Sequence, residues 1–135
     1  DPRQVVASYV KSRATVTADD IGLPQQVALY EELAARGAAP PVIDAGDFLR
    51  APEAHLRALC EWLDIGFTPR MLAWPAGPRD SDGIWAPHWY AQVWKSTGFE
   101  VPQDRDVELS GIPARVADEC RGHYEQLSAL RVRVD

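Results

Sequence analysis

The sequence predicts a mostly helical domain that contains one short strand. Four stretches carry apolar residues at the spacing of one helix face, with proline near their starts. One apolar run, Val42 to Ala45, lies between a pair of prolines and a glycine and is the strand candidate. The chain has 135 residues, 46% hydrophobic and 25% charged, which is the ordinary composition of one globular domain or a piece of one.

The four helices are predicted from their apolar stripes and their end signals. They cover residues 2–13, residues 24–36 and residues 52–63, and a last helix begins at Ser110 or Pro113. The third is the most regular, because its apolar residues follow the i, i+3, i+4, i+7 spacing of an amphipathic face. These residues are Leu56, Leu59, Cys60 and Leu63. A short helical turn after Thr68 and a short helix from His88 to Lys95 complete the prediction.

The segment from Pro75 to Pro87 is predicted to be a loop, because three more proline or glycine residues lie between these two prolines and both residue types interrupt helices and strands. A loop of this length in a compact domain is more often functional than not. The chain has five tryptophans, four of them in or beside this loop: Trp74, Trp85, Trp89 and Trp94, with Trp62 elsewhere. Two interpretations stay open here, a lid that packs on the core and an aromatic-lined pocket for an organic ligand.

Composition excludes several classes of protein. The net charge of −6 disfavours sequence-independent binding of nucleic acid, which depends on neutralising phosphates. No apolar run approaches the ~20 residues of a membrane span, and no signal peptide is visible. The two cysteines, Cys60 and Cys120, therefore indicate reduced thiols in a cytoplasmic protein. Cysteine and histidine lack the spacing of metal ligands, so no metal is expected.

The chain begins Asp1-Pro2-Arg3, which is typical of the start of a helix, since Asp is a good N-cap and proline suits the first helical position. We interpret residues 1–135 as one partial domain whose preceding element is missing. The alternative is a mature N-terminus made by processing.

The opening segment resembles the 3′-phosphate-binding motif of the sulfotransferases that use 3′-phosphoadenosine 5′-phosphosulfate (PAPS). In that family a strand ends in Arg, then Asn or Asp, Pro, and Lys or Arg, and a helix follows that carries a Ser seven positions after the Asn or Asp. Ser8 is seven positions after Asp1 and matches. The chemistry suits a phosphate, because arginine supplies a charged fork and the Ser hydroxyl supplies a neutral donor.

A second segment strengthens this resemblance. The run from Val42 to Glu53 is similar to a later strand and turn of the family, and the helix that follows is similar to the one ending in Phe-Leu-Gly. Asp47 and Pro52 match, whereas Ala45 stands where the family often has a tyrosine that contacts adenine. The resemblance covers about residues 1–74, and the remainder resembles the variable C-terminal part of the bacterial enzymes.

The resemblance implies the C-terminal part of a P-loop-like α/β fold, with PAPS as co-substrate and no metal. It implies transfer of a sulfuryl group to the hydroxyl or amine of a small-molecule acceptor. The phosphosulfate-binding loop and the catalytic base precede the motif in this family, so no catalytic residue is expected in this chain and the fragment alone is predicted to be inactive. The alternative is a non-catalytic helical interaction module.

Arg79 is the second candidate for binding the cofactor. In the family, a glycine-containing segment with arginine folds over the 3′-phosphate, and Arg79 is the only cation between Pro75 and Pro87. A phosphate with nearly two negative charges also needs more than one arginine and one serine. The alternative is a solvated arginine that pairs with Asp80 or Asp82.

Overall fold

The computed structural model describes residues 1–102 and 106–134. They divide into two compact units, the first made of residues 1–44 and 106–132, the second of residues 45–102 with 133 and 134. The helices of the described chain are α1 (Pro2–Tyr9), α2 (Ala18–Ile21), α3 (Leu23–Ala35), α4 (Ala45–Arg50), α5 (Pro52–Trp62), α6 (Ala86–Trp89) and α7 (Gly111–Ala129). Two 3₁₀ turns, Pro69–Met71 and Val93–Lys95, lie on either side of α6.

The first unit is held together by α1, α2 and α3 packed against α7. Val6 of α1 and Cys120 of α7 are both fully buried at its centre. The other buried members of this cluster are Val16, Ile21, Val116 and Ala117. The core of this unit therefore joins the beginning of the chain to its end.

Local chemistry explains where the first helices begin. The side chain of Asp1 accepts a hydrogen bond from the backbone N–H of Arg3 at 2.7 Å, which is the expected N-cap of α1. Thr17 and Asp20 form a reciprocal capping box at the start of α2. Gly22, at φ +78°, then ends α2 in the left-handed conformation that glycine adopts without strain.

The prediction of a mostly helical chain is confirmed, and α3 and α5 lie within about one residue of the predicted ranges. The first helix is shorter than predicted, since it ends at Tyr9 rather than near Arg13. Asp19 and Asp20 lie between the first two predicted helices, where a break in helical structure is expected, but both residues lie inside the short helix α2. The predicted short helix from His88 to Lys95 is divided into α6 and the turn Val93–Lys95.

The predicted strand from Val42 to Ala45 is wrong. Val42 forms one isolated parallel bridge with Arg131, in which Val132 N–H donates to the Val42 carbonyl at 2.8 Å. The extended segment that begins at Val42 ends before Ala45, because Ala45 is the first residue of α4. No strand lies in residues 1–102 or 106–134, and the P-loop-like sheet that the resemblance implies stays a prediction.

The second unit packs around a row of aromatic rings. The ring of Phe99 contacts Phe48 edge-on at 5.0 Å and Trp74 edge-on at 5.2 Å, measured between centroids. An antiparallel bridge between Ala73 and Gly98 holds the two ends of the segment between them together. None of the helices that the structure describes is long and apolar enough to cross a membrane.

Candidate functional site

Ser8 lies in the last turn of α1 with its side chain exposed to solvent. Seven residues are close to two helical turns, so Ser8 shares a side of the helix with Asp1, whereas Val6 is turned to the core. Within the residues that the structure describes, no hydrogen bond engages the Ser8 hydroxyl. The predicted phosphate contact is thus an accessible hydroxyl on the outer face of α1.

Other polar residues of α1 and its end have structural partners. Arg3 donates from Nη2 to the carbonyl oxygen of Val107 at 2.9 Å, which fastens α1 to the segment before α7. Ser12 donates its hydroxyl back to the carbonyl of Tyr9 at 3.4 Å. Ser8 differs from both in having its donor available to a ligand.

Arg79 lies in the second unit, in the loop between the turn Pro69–Met71 and α6, and it is exposed. Its backbone N–H donates to Oδ2 of Asp82 at 2.9 Å, and Asp82 N–H donates back to the Arg79 carbonyl at 2.9 Å. Its guanidinium forms no ion pair with any part of the chain that the structure describes. Arg79 therefore bonds to Asp82 through its main-chain atoms, and its guanidinium stays accessible to solvent.

Asp82 connects this loop to the segment beyond α6. The same Oδ2 atom accepts a hydrogen bond from the indole Nε1 of Trp94 at 2.8 Å. The bond from the Arg79 N–H, then that from the indole, and the nearby guanidinium hold the pKa of Asp82 below its usual value. The carboxylate is therefore negatively charged at neutral pH and binds two donors at once.

The tryptophans around the loop divide into two groups. Trp74 and Trp94 donate their indole N–H groups within the unit, Trp74 to the hydroxyl of Ser96 at 3.0 Å. Trp85 and Trp89 are instead exposed by 69% and 66%. The loop therefore fits neither the packed lid nor the aromatic-lined pocket completely, because two of its tryptophans are bonded within the unit and the other two face solvent.

A cavity of about 430 Å³ lies at the beginning of α5, and no tryptophan is among the residues that line it. It is lined by Ala51, Pro52, Glu53, Ala54, Leu72 and Phe99. Its walls are mostly apolar, and Glu53 is engaged by Arg57, whose Nη2 lies 2.7 Å from Oε1. This cavity is not the aromatic-lined pocket that the sequence suggested, because Phe99 is the one aromatic residue in its lining.

The cysteines are structural. Cys120 is fully buried and Cys60 is 5% exposed, and burial raises the pKa of the Cys120 thiol, with the neighbouring Glu119 adding to this effect. At these positions both cysteines pack as small hydrophobic residues. The residues that the structure describes contain no group of three or more His, Cys, Asp or Glu that could hold a metal ion.

Sequence reasoning missed a polar pair inside the first unit. The hydroxyl of Tyr124 in α7 donates to Oδ2 of Asp44 at 2.9 Å. Burial raises the pKa of Tyr124, and the bond to Asp44 raises it further. The two residues are 80 positions apart, so no local pattern could have revealed the contact.

Comparison with known proteins places the chain in a family. The sequence profile described as "Sulfotransferase domain" matches residues 1–113. Two curated relatives from Arabidopsis thaliana also match, "Branched-chain-amino-acid aminotransferase-like protein 2" at 43% identity over 127 residues and "Branched-chain-amino-acid aminotransferase-like protein 1" at 48% over 84 residues. These alignments cover 94% and 62% of this chain.

The chain spans less than a quarter of the length of these relatives, 22% of the first and 15% of the second. No solved structure matches it. The profile match covers most of the chain and includes all of α1 with Ser8, the loop with Arg79, and the beginning of α7. On this evidence the chain belongs to the family of the sulfotransferase domain.

Proposed function

We propose that this chain is part of an enzyme that transfers a sulfuryl group from PAPS to the hydroxyl or amine of a small-molecule acceptor. The profile match over residues 1–113 carries this proposal. The match begins at Asp1 and thus includes the residues that resemble the family's 3′-phosphate motif. In this reaction the acceptor oxygen or nitrogen bonds to sulfur and loses its proton to a base, the bond from sulfur to the 5′-phosphate oxygen breaks, and adenosine 3′,5′-bisphosphate leaves.

The part of the reaction that we assign to this chain is binding of the nucleotide. Ser8 would donate its exposed hydroxyl to an oxygen of the 3′-phosphate. Support comes from its spacing to Asp1, from its exposure on the outer face of α1 and from its lack of another partner in the described chain. Binding energy from such a remote phosphate accelerates transfer when it holds the phosphosulfate in line with the acceptor.

Arg79 is the second residue that we propose to bind an anionic group of the nucleotide. Its guanidinium is exposed and, in the described residues, unpaired, so no ion pair must break before it binds an anion. A guanidinium presents two parallel N–H groups to a phosphate, which makes arginine well suited to this role.

Ser8→Ala tests the proposal in the full protein that carries this domain. We expect the substitution to weaken binding of adenosine 3′,5′-bisphosphate by about 1–2 kcal/mol, the scale of a hydrogen bond to a charged group. Titration calorimetry measures this affinity. Adenosine 5′-phosphate lacks the 3′-phosphate, and its affinity should not change.

Ser12→Ala is the matched control, because Ser12 is an exposed serine just beyond the end of α1 whose hydroxyl already bonds to the carbonyl of Tyr9. It should bind both nucleotides as the unsubstituted protein does. Equal affinities of Ser8→Ala and unsubstituted protein for adenosine 3′,5′-bisphosphate would remove Ser8 from the site. Failure of the full protein to bind this nucleotide at all would favour the non-catalytic helical module.

Arg79 is tested separately by substitution and salt. Arg79→Ala should weaken binding of adenosine 3′,5′-bisphosphate more at low salt than at high salt, because ions screen the attraction between exposed charges. Arg70→Ala is the control, since Arg70 is another exposed arginine of the same unit. The same affinity and salt dependence for both variants would leave Arg79 as a surface residue.

A further inference from the structure

A closed ring of hydrogen bonds shapes the loop that carries Arg79. The N–H of Gly77 donates to the carbonyl of Trp94 at 2.7 Å, and the indole of Trp94 donates to Asp82 at 2.8 Å. Asp82 in turn is bonded to the main chain of Arg79 in both directions. Gly77 allows the turn at the start of this ring, with φ +107°, a value that other residues rarely adopt.

We propose that Asp82 is a positioning residue, whose carboxylate fixes the main chain at Arg79 against Trp94 and so presents the guanidinium to the anionic end of a nucleotide. This inference rests on the proposed function of Arg79. It adds a role for a carboxylate that the resemblance assigns to no function.

The geometry supports positioning over direct contact with a nucleotide. One oxygen of Asp82, Oδ2, receives both the N–H of Arg79 and the indole N–H of Trp94. An anionic ligand is repelled by a free carboxylate, but two donors on one oxygen partly compensate its charge. The ring also limits the main-chain freedom of a loop rich in glycine and proline, so less conformational entropy is lost when the loop binds a ligand.

The guanidinium of Arg79 takes no part in this ring of hydrogen bonds. It lies close enough to Asp82 to lower that residue's pKa, yet the described chain contains no ion pair between them. The carboxylate therefore orients the arginine through its backbone and leaves the charged fork available. This arrangement differs from a surface ion pair, in which the carboxylate would compete with the ligand for the guanidinium.

The first measurement is hydrogen exchange of the full protein without nucleotide. Asp82→Ala should speed exchange of the Arg79 amide by about fivefold, because that amide loses its acceptor. Trp94→Phe removes the other donor and should speed exchange of the same amide in the same direction. Asp80→Ala is the matched control, since Asp80 is the neighbouring exposed carboxylate of this loop and should leave the amide unchanged. Unchanged exchange at Arg79 in both Asp82→Ala and Trp94→Phe would overturn the positioning role, whatever the nucleotide does.

The second measurement separates position from charge. Asn keeps an oxygen acceptor without the negative charge, so Asp82→Asn should retain most of the affinity for adenosine 3′,5′-bisphosphate, whereas Asp82→Ala should lose about threefold to fivefold. In an Arg79→Ala background, Asp82→Ala should cause no further loss, because the residue acts through Arg79. If Asp82→Asn and Asp82→Ala both bind the nucleotide more tightly, the carboxylate acts by repulsion and the inference is wrong.

The two measurements fail in different ways. Faster exchange at Arg79 without any effect of Arg79→Ala on nucleotide affinity would leave the ring in place but contradict the proposed function of Arg79, and with it the inference. Unchanged exchange together with a loss of affinity in Arg79→Ala would contradict the inference alone.

Discussion

At the scale of single residues, the first unit depends on a contact that crosses most of the chain. Tyr124 donates to Asp44, and Arg131 donates to the carbonyl and hydroxyl of Ser128 one turn from Tyr124. These polar groups surround the place where Val42 forms its single bridge with Arg131. A phenol bonded to a carboxylate therefore stabilises the connection between the Val42 segment and α7.

Replacing Tyr124 with Phe should remove this contact with little loss of packing. We expect the free energy of unfolding to fall by about 1 kcal/mol, the net value of a hydrogen bond in a partly buried position. Tyr30→Phe in α3 is the control and should change it by less than about 0.5 kcal/mol, as substitutions without a specific contact do. Urea unfolding at neutral pH measures both, and equal losses would contradict a special role of the pair.

The same pair predicts a dependence on alkaline pH. The pKa of Tyr124 is raised in the folded chain, so its contribution is fully present below the ordinary tyrosine pKa of 10.0 and is lost as pH rises through the raised value. The difference in unfolding free energy between unsubstituted protein and Tyr124→Phe should therefore shrink as the pH rises through the raised pKa of Tyr124. A difference that grows with alkaline pH would have the opposite sign and would contradict this assignment.

At the scale of elements, the short helices depend on their ends. The four-residue α2 has no long apolar stripe to stabilise it, but its capping box supplies two hydrogen bonds at Thr17. Asp20 takes part in both the box and a bond from the Thr17 hydroxyl at 2.7 Å. An isolated helix of this length would not form in water, so the cap and the burial of Ile21 maintain it together.

Thr17→Ala should therefore destabilise the protein by about 1 kcal/mol, the usual cost of removing an N-cap side chain. Thr15→Ala provides the comparison, because Thr15 is an exposed threonine just before the cap. Thermal unfolding followed by circular dichroism gives both values. A loss at Thr15 as large as that at Thr17 would show that the capping box contributes nothing measurable.

At the scale of the whole molecule, the core of the first unit joins residues from both ends of the chain. Val6 lies at the centre of this cluster with no exposed surface, whereas its neighbour Val5 is 45% exposed. The two valines occupy adjacent positions of α1 and differ only in the direction of their side chains.

Val6→Ala should lower the free energy of unfolding by about 2 kcal/mol, because it removes two methyl groups from a closely packed core and leaves a cavity. Val5→Ala should lower it by less than about 0.5 kcal/mol. Denaturant unfolding of both variants decides between them. Similar losses would mean that α1 is not packed on α7 through Val6.

Sequence reasoning found the features of this protein that depend on near neighbours. The spacing of apolar residues predicted α3 and α5 within about one residue, and the motif at Asp1 led to the sulfotransferase family. It failed for the strand at Val42, because a strand requires a partner segment and, among the residues that the structure describes, Val42 pairs with Arg131 in one isolated bridge. A local pattern contains no information about which distant segment lies alongside.

The candidate site divides in the same way. Ser8 and Arg79 are candidates because the chain resembles a family motif, which includes the spacing of Ser8 to Asp1, and because Arg79 is the one cation of its loop. Both signals are local in the chain. The bonds of Asp82 to Trp94 and of Tyr124 to Asp44 join residues 12 and 80 positions apart, and they exist because packing brings those groups together. Residue spacing thus determined the helices, and resemblance to a known motif indicated the family. The folded chain determined which polar groups are bonded and which, such as the Ser8 hydroxyl, stay accessible to a ligand.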